Sequence, residues 1–424
     1  MKKRILALLA CGALAASAVT GMAACTKDSG IELTVWASAA QQETFTQMAE
    51  EFKKANPDKK YNIKIGIGEE DMAFSNVGKD PTAAADVYCY SNDQLYPLLR
   101  VGALARVGGS YLDGVKADNS EESVKSGSVK WGTEEEKVYG YPYASDNGYF
   151  MYYDKSVVSD EQAGSLEQII AACESANKKI GWALDVPWYT AGWFFTFGGS
   201  YSVEYNDKYV ETNIEIDFDN ENGVKASKAI KKLTSSKAFA GKQTDNGKII
   251  TGFTTKSMAV AVSGTWNAKS IKQALGENFG VCKLPTVTVD GETKQLYSFK
   301  GYKLLGVNPH AGDKLGEAHR LAAFLSGEAM QKIRFDKHLI GPTNKNAADT
   351  DVIKNDATFK ALNAQNIFAV EQTAVPSNFW EPLKNYGLNI IDDLVDETGS
   401  DGRITYAAQL KKMVAQIKGT VSAS

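Results

Sequence analysis

Residues 31–67 read IELTVWASAAQQETFTQMAEEFKKANPDKKYNIKIGI, and this stretch decides the fold. Ile31, Leu33 and Val35 alternate with Glu32, Thr34 and Trp36, the period of two expected of a half-buried strand. Ser38 with Gln41 three residues on has the form of a capping box. Phe45, Met48, Ala49 and Phe52 then recur at helical spacing, and Asn56-Pro57 ends the run. Ile63, Ile65 and Ile67 restore the strand period. A strand, a helix of about four turns and a second strand make a right-handed crossover, the unit of a parallel α/β sheet.

The pattern continues toward the C-terminus. Ala85-Asp86-Val87-Tyr88-Cys89-Tyr90 is a short apolar run that reads as a buried strand, with a helix over 95–101. An extended tyrosine-rich stretch covers 138–153 and a helix 166–176; 208–218 favours strand and 224–233 helix. Residues 256–262 form another apolar strand, entering the turn Ser263-Gly264-Thr265-Trp266. Tyr302, Leu304 and Val307 mark a later strand, followed by helices over 315–325, 329–335 and 406–417. There is no internal repeat and no long Pro/Gly/Ser linker. A chain of about 400 residues exceeds one ordinary core, so two α/β lobes joined by strands or short loops are expected.

Toward the N-terminus the sequence changes character. Met1-Lys2-Lys3-Arg4 is a positive start, 5–20 is apolar and rich in Ala and Leu, and Met22-Ala23-Ala24-Cys25 ends it. This is the form of a secretory signal peptide. The small residues before a cysteine look like a lipobox, which makes Cys25 the expected lipid-modified N-terminus and Thr26 to Gly30 a tether. Cys11 falls in the discarded segment. Two or more acyl chains give stable anchoring where one is marginal. No later stretch is apolar for long enough to span a bilayer.

The chain carries 47 Lys and Arg against 51 Asp and Glu. Losing the three basic residues of the leader brings the net charge to about −7, with no general attraction to nucleic acid. Cys89, Cys173 and Cys282 lie far apart in apolar settings without metal-type spacing, and read as free buried thiols. One disulfide among them is the alternative. There is no phosphate loop, no His-Glu-x-x-His and no Gly-x-Ser-x-Gly elbow, and His310, His319 and His338 read as surface or capping residues. No cofactor, no metal and no catalysis are expected.

The aromatics are placed unusually. Trp36, Tyr88 with Tyr90, Tyr141 with Tyr143, Trp188, Trp266 and Trp380 fall at expected strand ends or in the turns after them. Open α/β sheets bind ligands outside the carboxyl ends of their strands. Short planar polar residues stand close by: Asn92-Asp93 after Tyr90, Asp146-Asn147 after Tyr143, Asp185 before Trp188, Asn267 after Trp266 and Asn378 before Trp380. A sugar ring presents an apolar C–H face that stacks on indole or phenol, and hydroxyls that need donors and acceptors in fixed directions. Ordinary core packing is the competing reading of each aromatic taken singly.

Several ordered motifs give the chain a family likeness. They are Leu33-Thr34-Val35-Trp36; Phe52-Lys53-Lys54-Ala55-Asn56-Pro57; Ala85-Asp86-Val87 followed by Gly102-Ala103-Leu104; Tyr139-Gly140-Tyr141-Pro142 leading to Tyr153-Asp154-Lys155; Val262-Ser263-Gly264-Thr265-Trp266; Leu284-Pro285; Ala322-Ala323-Phe324-Leu325; and Phe379-Trp380. In order and spacing the chain resembles the bacterial extracellular solute-binding proteins that serve ABC importers of sugars, the group containing the maltose/maltodextrin-binding proteins. The resemblance implies an α/β, two-lobed periplasmic-binding-protein-like (type II) fold with a hinged cleft. It implies a first lobe of 31–145 plus 299–346 and a second of 146–298 plus 347–424, after a leader of 1–24 and a tether of 25–30. It carries ligand roles onto Tyr90 and Asp93, Trp188 following Pro187, Trp266 and Trp380. The family's acidic residue after the first crossing corresponds to Asn147, and an arginine four residues beyond the late tryptophan to Lys384.

The expectation is therefore a monomeric, lipid-anchored capture subunit on the extracellular face of the membrane. It closes around an oligosaccharide, first a maltodextrin-type α-glucan, and delivers it to an ABC permease. Two rivals fit part of the pattern: a binding protein for another oligosaccharide or a non-sugar solute such as a polyamine or peptide, and a secreted glycoside hydrolase or lyase using Asp93, Asp146 or Asp185.

Overall fold

The computed structural model describes residues 30–131 and 134–419. The expected signal peptide and the lipidated Cys25 lie outside the described residues. Strand Ile31–Ala37 buries Leu33, Val35 and Ala37 and exposes Glu32, as its alternation requires. It pairs in parallel with Tyr61–Ile67, and helix Gln42–Ala55 crosses between them with Phe45, Met48, Ala49 and Phe52 buried. The expected capping box does not form. A 3₁₀ turn, Ala39–Gln41, precedes the helix, and the Gln41 amide donates to the Ser38 hydroxyl at 3.0 Å while Ser38 caps no backbone group. Gln41 is drawn instead into a buried polar network described below.

The first sheet has five strands in the order Tyr61–Ile67, Ile31–Ala37, Val87–Ser91, Lys303–Val307, Tyr141–Ala144. Lys303–Val307 returns from far along the chain and runs antiparallel to both its neighbours. Helices Gln42–Ala55 and Leu315–Leu325 supply Phe45, Phe52, Leu321 and Leu325 to the core that includes Leu33 and Val87. Tyr88, Tyr90, Leu95, Leu98 and Leu304 form a second cluster of the same lobe. The second sheet has four strands, Phe279–Cys282, Phe150–Asp154, Met258–Ser263 and Lys179–Gly181. Its largest core gathers Trp182, Trp193, Phe194, Phe218 and Tyr386.

The chain passes between the two sheets after Tyr141–Ala144, before Lys303–Val307, and between helix Glu328–His338 and helix Ala357–Asn366. Strand Ser298–Lys300 at the second passage pairs in parallel with Ala369–Glu371. A hairpin, Tyr201–Tyr205 with Glu211–Ile216, makes a further link. Tyr205 stacks on Tyr96 of the first lobe at 3.9 Å, and Tyr209 sets its ring 5.5 Å from that of Trp131. Cys89, Cys173 and Cys282 are free thiols. Burial pushes each of them up to about 12. Among the described residues no helix is long and apolar enough to cross a membrane.

Candidate functional site

The strand that ends at Ser263 delivers Trp266 into a 3₁₀ turn, Thr265–Asn267, at its carboxyl end. Trp188 arrives differently. It is not in a turn after a strand but is the second residue of helix Pro187–Thr196, which opens with Pro187 where a missing N–H costs nothing. The two indoles meet, with ring centroids 6.0 Å apart and planes at 39°. Tyr149 and Tyr189 brace Trp188 at 4.7 and 5.1 Å. Both indole N–H groups are spoken for: Trp188 Nε1 donates to Gln372 Oε1 at 2.6 Å and Trp266 Nε1 to Asn246 Oδ1 at 3.0 Å. The result is a rigid, partly exposed aromatic wall on the second lobe.

Polar groups of the first lobe and the crossing segments stand against it. Lys303 places Nζ 5.6 Å from the centroid of the Trp266 ring and 3.5 Å from Asp146 Oδ1. Thr265 Oγ1 donates to Asp146 Oδ2 at 2.7 Å, so the Asp146 carboxylate also holds the turn that carries Trp266. Burial by itself pulls the Lys303 ammonium down, but the carboxylates of Asp146 and Glu70 outweigh it and hold it above its ordinary value. Asp93 follows strand Val87–Ser91 and accepts from Gln94 Nε2 at 2.7 Å. Gln372, which holds Trp188, stands near the Asp93 carboxylate and helps to hold it down, while Asp93 Oδ1 has no hydrogen-bond partner among the described residues. Trp266, Trp188 and Gln372 are thus joined by direct contacts, with Asp93 of the first lobe close to Gln372.

The other expected residues sit elsewhere. Tyr90 is fully buried within its strand, beside Tyr88 and Leu304, so in this conformation its ring is core and offers no stacking face. Tyr88, Tyr141 and Tyr143 are likewise buried in strands, Tyr141 as the first residue of its strand and not at a carboxyl end. Asn147 is buried at the first passage, with its amide nitrogen unpaired among the described residues. Trp380 is the first residue of helix Trp380–Ile391, not a strand end, and its ring partners among the described residues are Phe299 and Phe379. Lys384, one turn on, is exposed and pairs with Glu381 at 3.6 Å. Asp185 accepts from the Gln243 N–H at 2.8 Å.

Sequence reasoning passed over Lys303, Gln372 and a buried network beneath Lys303. In that network Tyr143 OH and Gln41 Nε2 both donate to Glu70 Oε1, at 3.0 and 3.3 Å. Arg334 donates to Gln41 Oε1 at 2.9 Å and to the Tyr143 carbonyl at 2.7 Å. His319 and His338 are partly buried partners of Tyr141 and Thr44, at 2.8 and 2.7 Å, where burial holds both below their ordinary value. They are not the surface or capping groups expected. Among the described residues no cluster of His, Cys, Asp and Glu has the form of a metal site. A cavity of about 410 Å³ lies at the opposite end of the second sheet, by Lys179, Gly252 and Met258, away from the indoles.

Asp93 gives a prediction of its own. Burial pushes its carboxyl from 3.8 up to about 6, partly countered by the Gln94 hydrogen bond, and Asp71 adds to the rise. Between those values the folded state keeps a proton that the unfolded chain has released. Stability contributed by Asp93 is therefore present below the unfolded value and falls as pH rises toward about 6. Asp93→Asn should remove that slope and raise stability at pH 7 by on the order of 2 kcal/mol. Urea denaturation at pH 4.5 and pH 7 measures it; equal slopes in both proteins would refute the assignment.

With this geometry in hand, comparisons with known proteins are informative. The sequence profile described as bacterial extracellular solute-binding protein matches residues 47–361. The galactooligosaccharide-binding protein of Bacillus subtilis (strain 168) is 24% identical over 89% of this chain and 87% of its own length. The maltooligosaccharide ABC transporter solute-binding lipoprotein of Streptococcus pneumoniae (strain ATCC BAA-255 / R6) is 25% identical over 88% and 87%. A solved structure described as being with acarbose is 29% identical, with a TM-score of 0.78 over 92% of this chain and 99% of that one. The maltodextrin-binding protein of L. casei BL23, without ligand, has a TM-score of 0.73 at 21% identity, over 91% and 98%, and shows the two-lobed fold. The chain belongs to the family of bacterial extracellular solute-binding proteins.

Proposed function

We propose that this chain is the lipid-anchored capture subunit of an ABC importer, and that it closes its two lobes around an oligosaccharide. The observation that carries the reading is the Trp188–Trp266 wall of one lobe, with Gln372 holding Trp188 and standing beside Asp93 of the other. Fixed indoles stack on sugar faces with little loss of side-chain freedom, and the carboxylate and amide supply directional partners for hydroxyls. Ligand bridging both lobes stabilises the closed state by its differential contacts. A maltodextrin-type α-glucan is the first candidate, in keeping with the pneumococcal relatives named for maltooligosaccharides. A galactooligosaccharide is the second reading, favoured by the name of the Bacillus subtilis relative.

The same proposal assigns lobes of 31–145 plus 299–346 and 146–298 plus 347–424, with Cys25 as the lipid anchor at the extracellular face of the membrane. The protein acts as a monomer, hands its ligand to a membrane permease and catalyses no reaction. Trp380, Lys384 and Asn147 remain candidate ligand contacts, and Tyr90 becomes one only through movement of its strand. The test is a thermal-shift screen of the mature protein against maltotriose, a galactotriose, xylotriose and spermidine. A ligand at about 100 times its Kd adds roughly 2.7 kcal/mol of stability, an easily read rise in Tm. A response to spermidine alone, or to no sugar, overturns the oligosaccharide reading; new reducing ends in the incubated trisaccharides overturn the absence of catalysis.

A further inference from the structure

Lys303 and Asp146 meet in a way that an ordinary structural ion pair does not. Asp146 has no exposed side-chain surface and Lys303 retains 12%. Their charged atoms stand 3.5 Å apart, beyond the ~2.7–2.9 Å of a charge-assisted hydrogen bond. Asp146 Oδ2 is satisfied by Thr265, but Oδ1 has no hydrogen-bond partner among the described residues. A buried carboxylate oxygen without a donor costs about 1–3 kcal/mol or more, so its lone pairs call for one. Lys303 brings three N–H groups to the same spot and is turned to the face of Trp266.

The two groups come from the passages between the lobes. Lys303 opens its strand in register with Ala144, and Asp146 lies two residues beyond Ala144. A pyranose laid on Trp266 therefore brings its hydroxyl rim to an acceptor and a donor held side by side. A hydroxyl is the group that serves both, since it donates to Oδ1 while accepting from Nζ. Charge narrows the choice further. Lys303 and Arg334 face three carboxyl groups, Asp146, Glu70 and Asp71, so the neighbourhood already leans negative without ligand. A carboxylate arriving there would add a further unmatched negative charge in a poorly solvated place.

We propose that Lys303 and Asp146 together read one hydroxyl of the ring stacked on Trp266, and that the Asp146 carboxylate selects neutral sugars over uronic acids while Lys303 donates to the hydroxyl and moderates that preference. The inference rests on the oligosaccharide reading above. It is tested by calorimetric titration of the mature protein with maltotriose, a galactotriose and their C6-oxidised uronic forms. Wild-type protein should prefer a neutral trisaccharide to its uronic form by about tenfold or more, the scale of one hydrogen bond to a charged group. Lys303→Met should weaken neutral binding by a similar factor and widen the neutral-to-uronic ratio. Asp146→Asn should narrow that ratio, and Lys303→Arg should keep part of the neutral affinity that Lys303→Met loses. Opposite movement of the ratio in the two variants is something loss of packing does not produce. Unchanged ratios in both, with neutral binding intact, overturn the proposal alone. If wild-type protein binds no trisaccharide of either form, the oligosaccharide reading falls with it.

Discussion

Trp266→Ala and Trp188→Ala should each weaken oligosaccharide binding by about 2–4 kcal/mol, roughly 30- to 1000-fold in Kd, with the fold intact by circular dichroism. The size follows from how the rings are held. Trp188 is fixed by Tyr149, Tyr189 and the 2.6 Å hydrogen bond to Gln372, and Trp266 by Asn246. Neither ring has much freedom left to lose on binding, so most of its stacking energy appears as affinity. Trp188→Ala carries a second penalty, because it releases Gln372, which stands beside Asp93. Trp188→Phe separates the two effects: a face remains but the N–H is gone, and affinity should fall between wild type and alanine. Titration calorimetry with the sugar that gives the largest thermal shift measures all three. Wild-type affinity in both alanine variants would leave the wall without a ligand role.

What the sequence made legible follows the range of the signal. The strand–helix–strand at 31–67 is local, and each apolar position there is repeated often enough to fix its period. The place of Lys303–Val307 in the first sheet is not legible, because a strand from over 150 residues away pairs by packing and not by neighbours in the chain. The aromatic-plus-amide pattern picked out Trp188 and Trp266, whose rings meet, yet it also picked out Tyr90, which is core. Strand Val87–Ser91 is covered on both faces, Cys89 toward one cluster and Tyr90 toward another, so alternation carries no information there. Helix Pro187–Thr196 went unseen because Trp188, Tyr189, Thr190, Trp193, Phe194 and Phe195 are poor helix formers that burial makes helical. Lys303, Gln372, Glu70 and Arg334 are single polar residues in unremarkable surroundings. Their meaning appears only when distant segments converge.

Arg334→Ala should destabilise the protein by about 3–5 kcal/mol, although Arg334 touches neither indole. Its side chain has no exposed surface and lies 3.9 Å from the centre of the Tyr143 ring. Its removal strips a donor from the Tyr143 carbonyl and another from Gln41 Oε1, and leaves a cavity where a guanidinium filled space. It also takes one positive charge from a neighbourhood that holds Glu70 and Asp146, so the remaining Lys303 must balance both. Arg334→Lys should restore the charge but little of the stability, because an ammonium on a thinner stem cannot span two acceptors in one plane and lie on the ring as well. Urea denaturation measures both variants. Because the network ends at Lys303, the alanine variant should also lose ligand affinity beyond what its lowered Tm accounts for. An Arg334→Ala protein as stable as wild type would mean that Tyr143 and Gln41 find other donors, and would detach the network from the site it underlies.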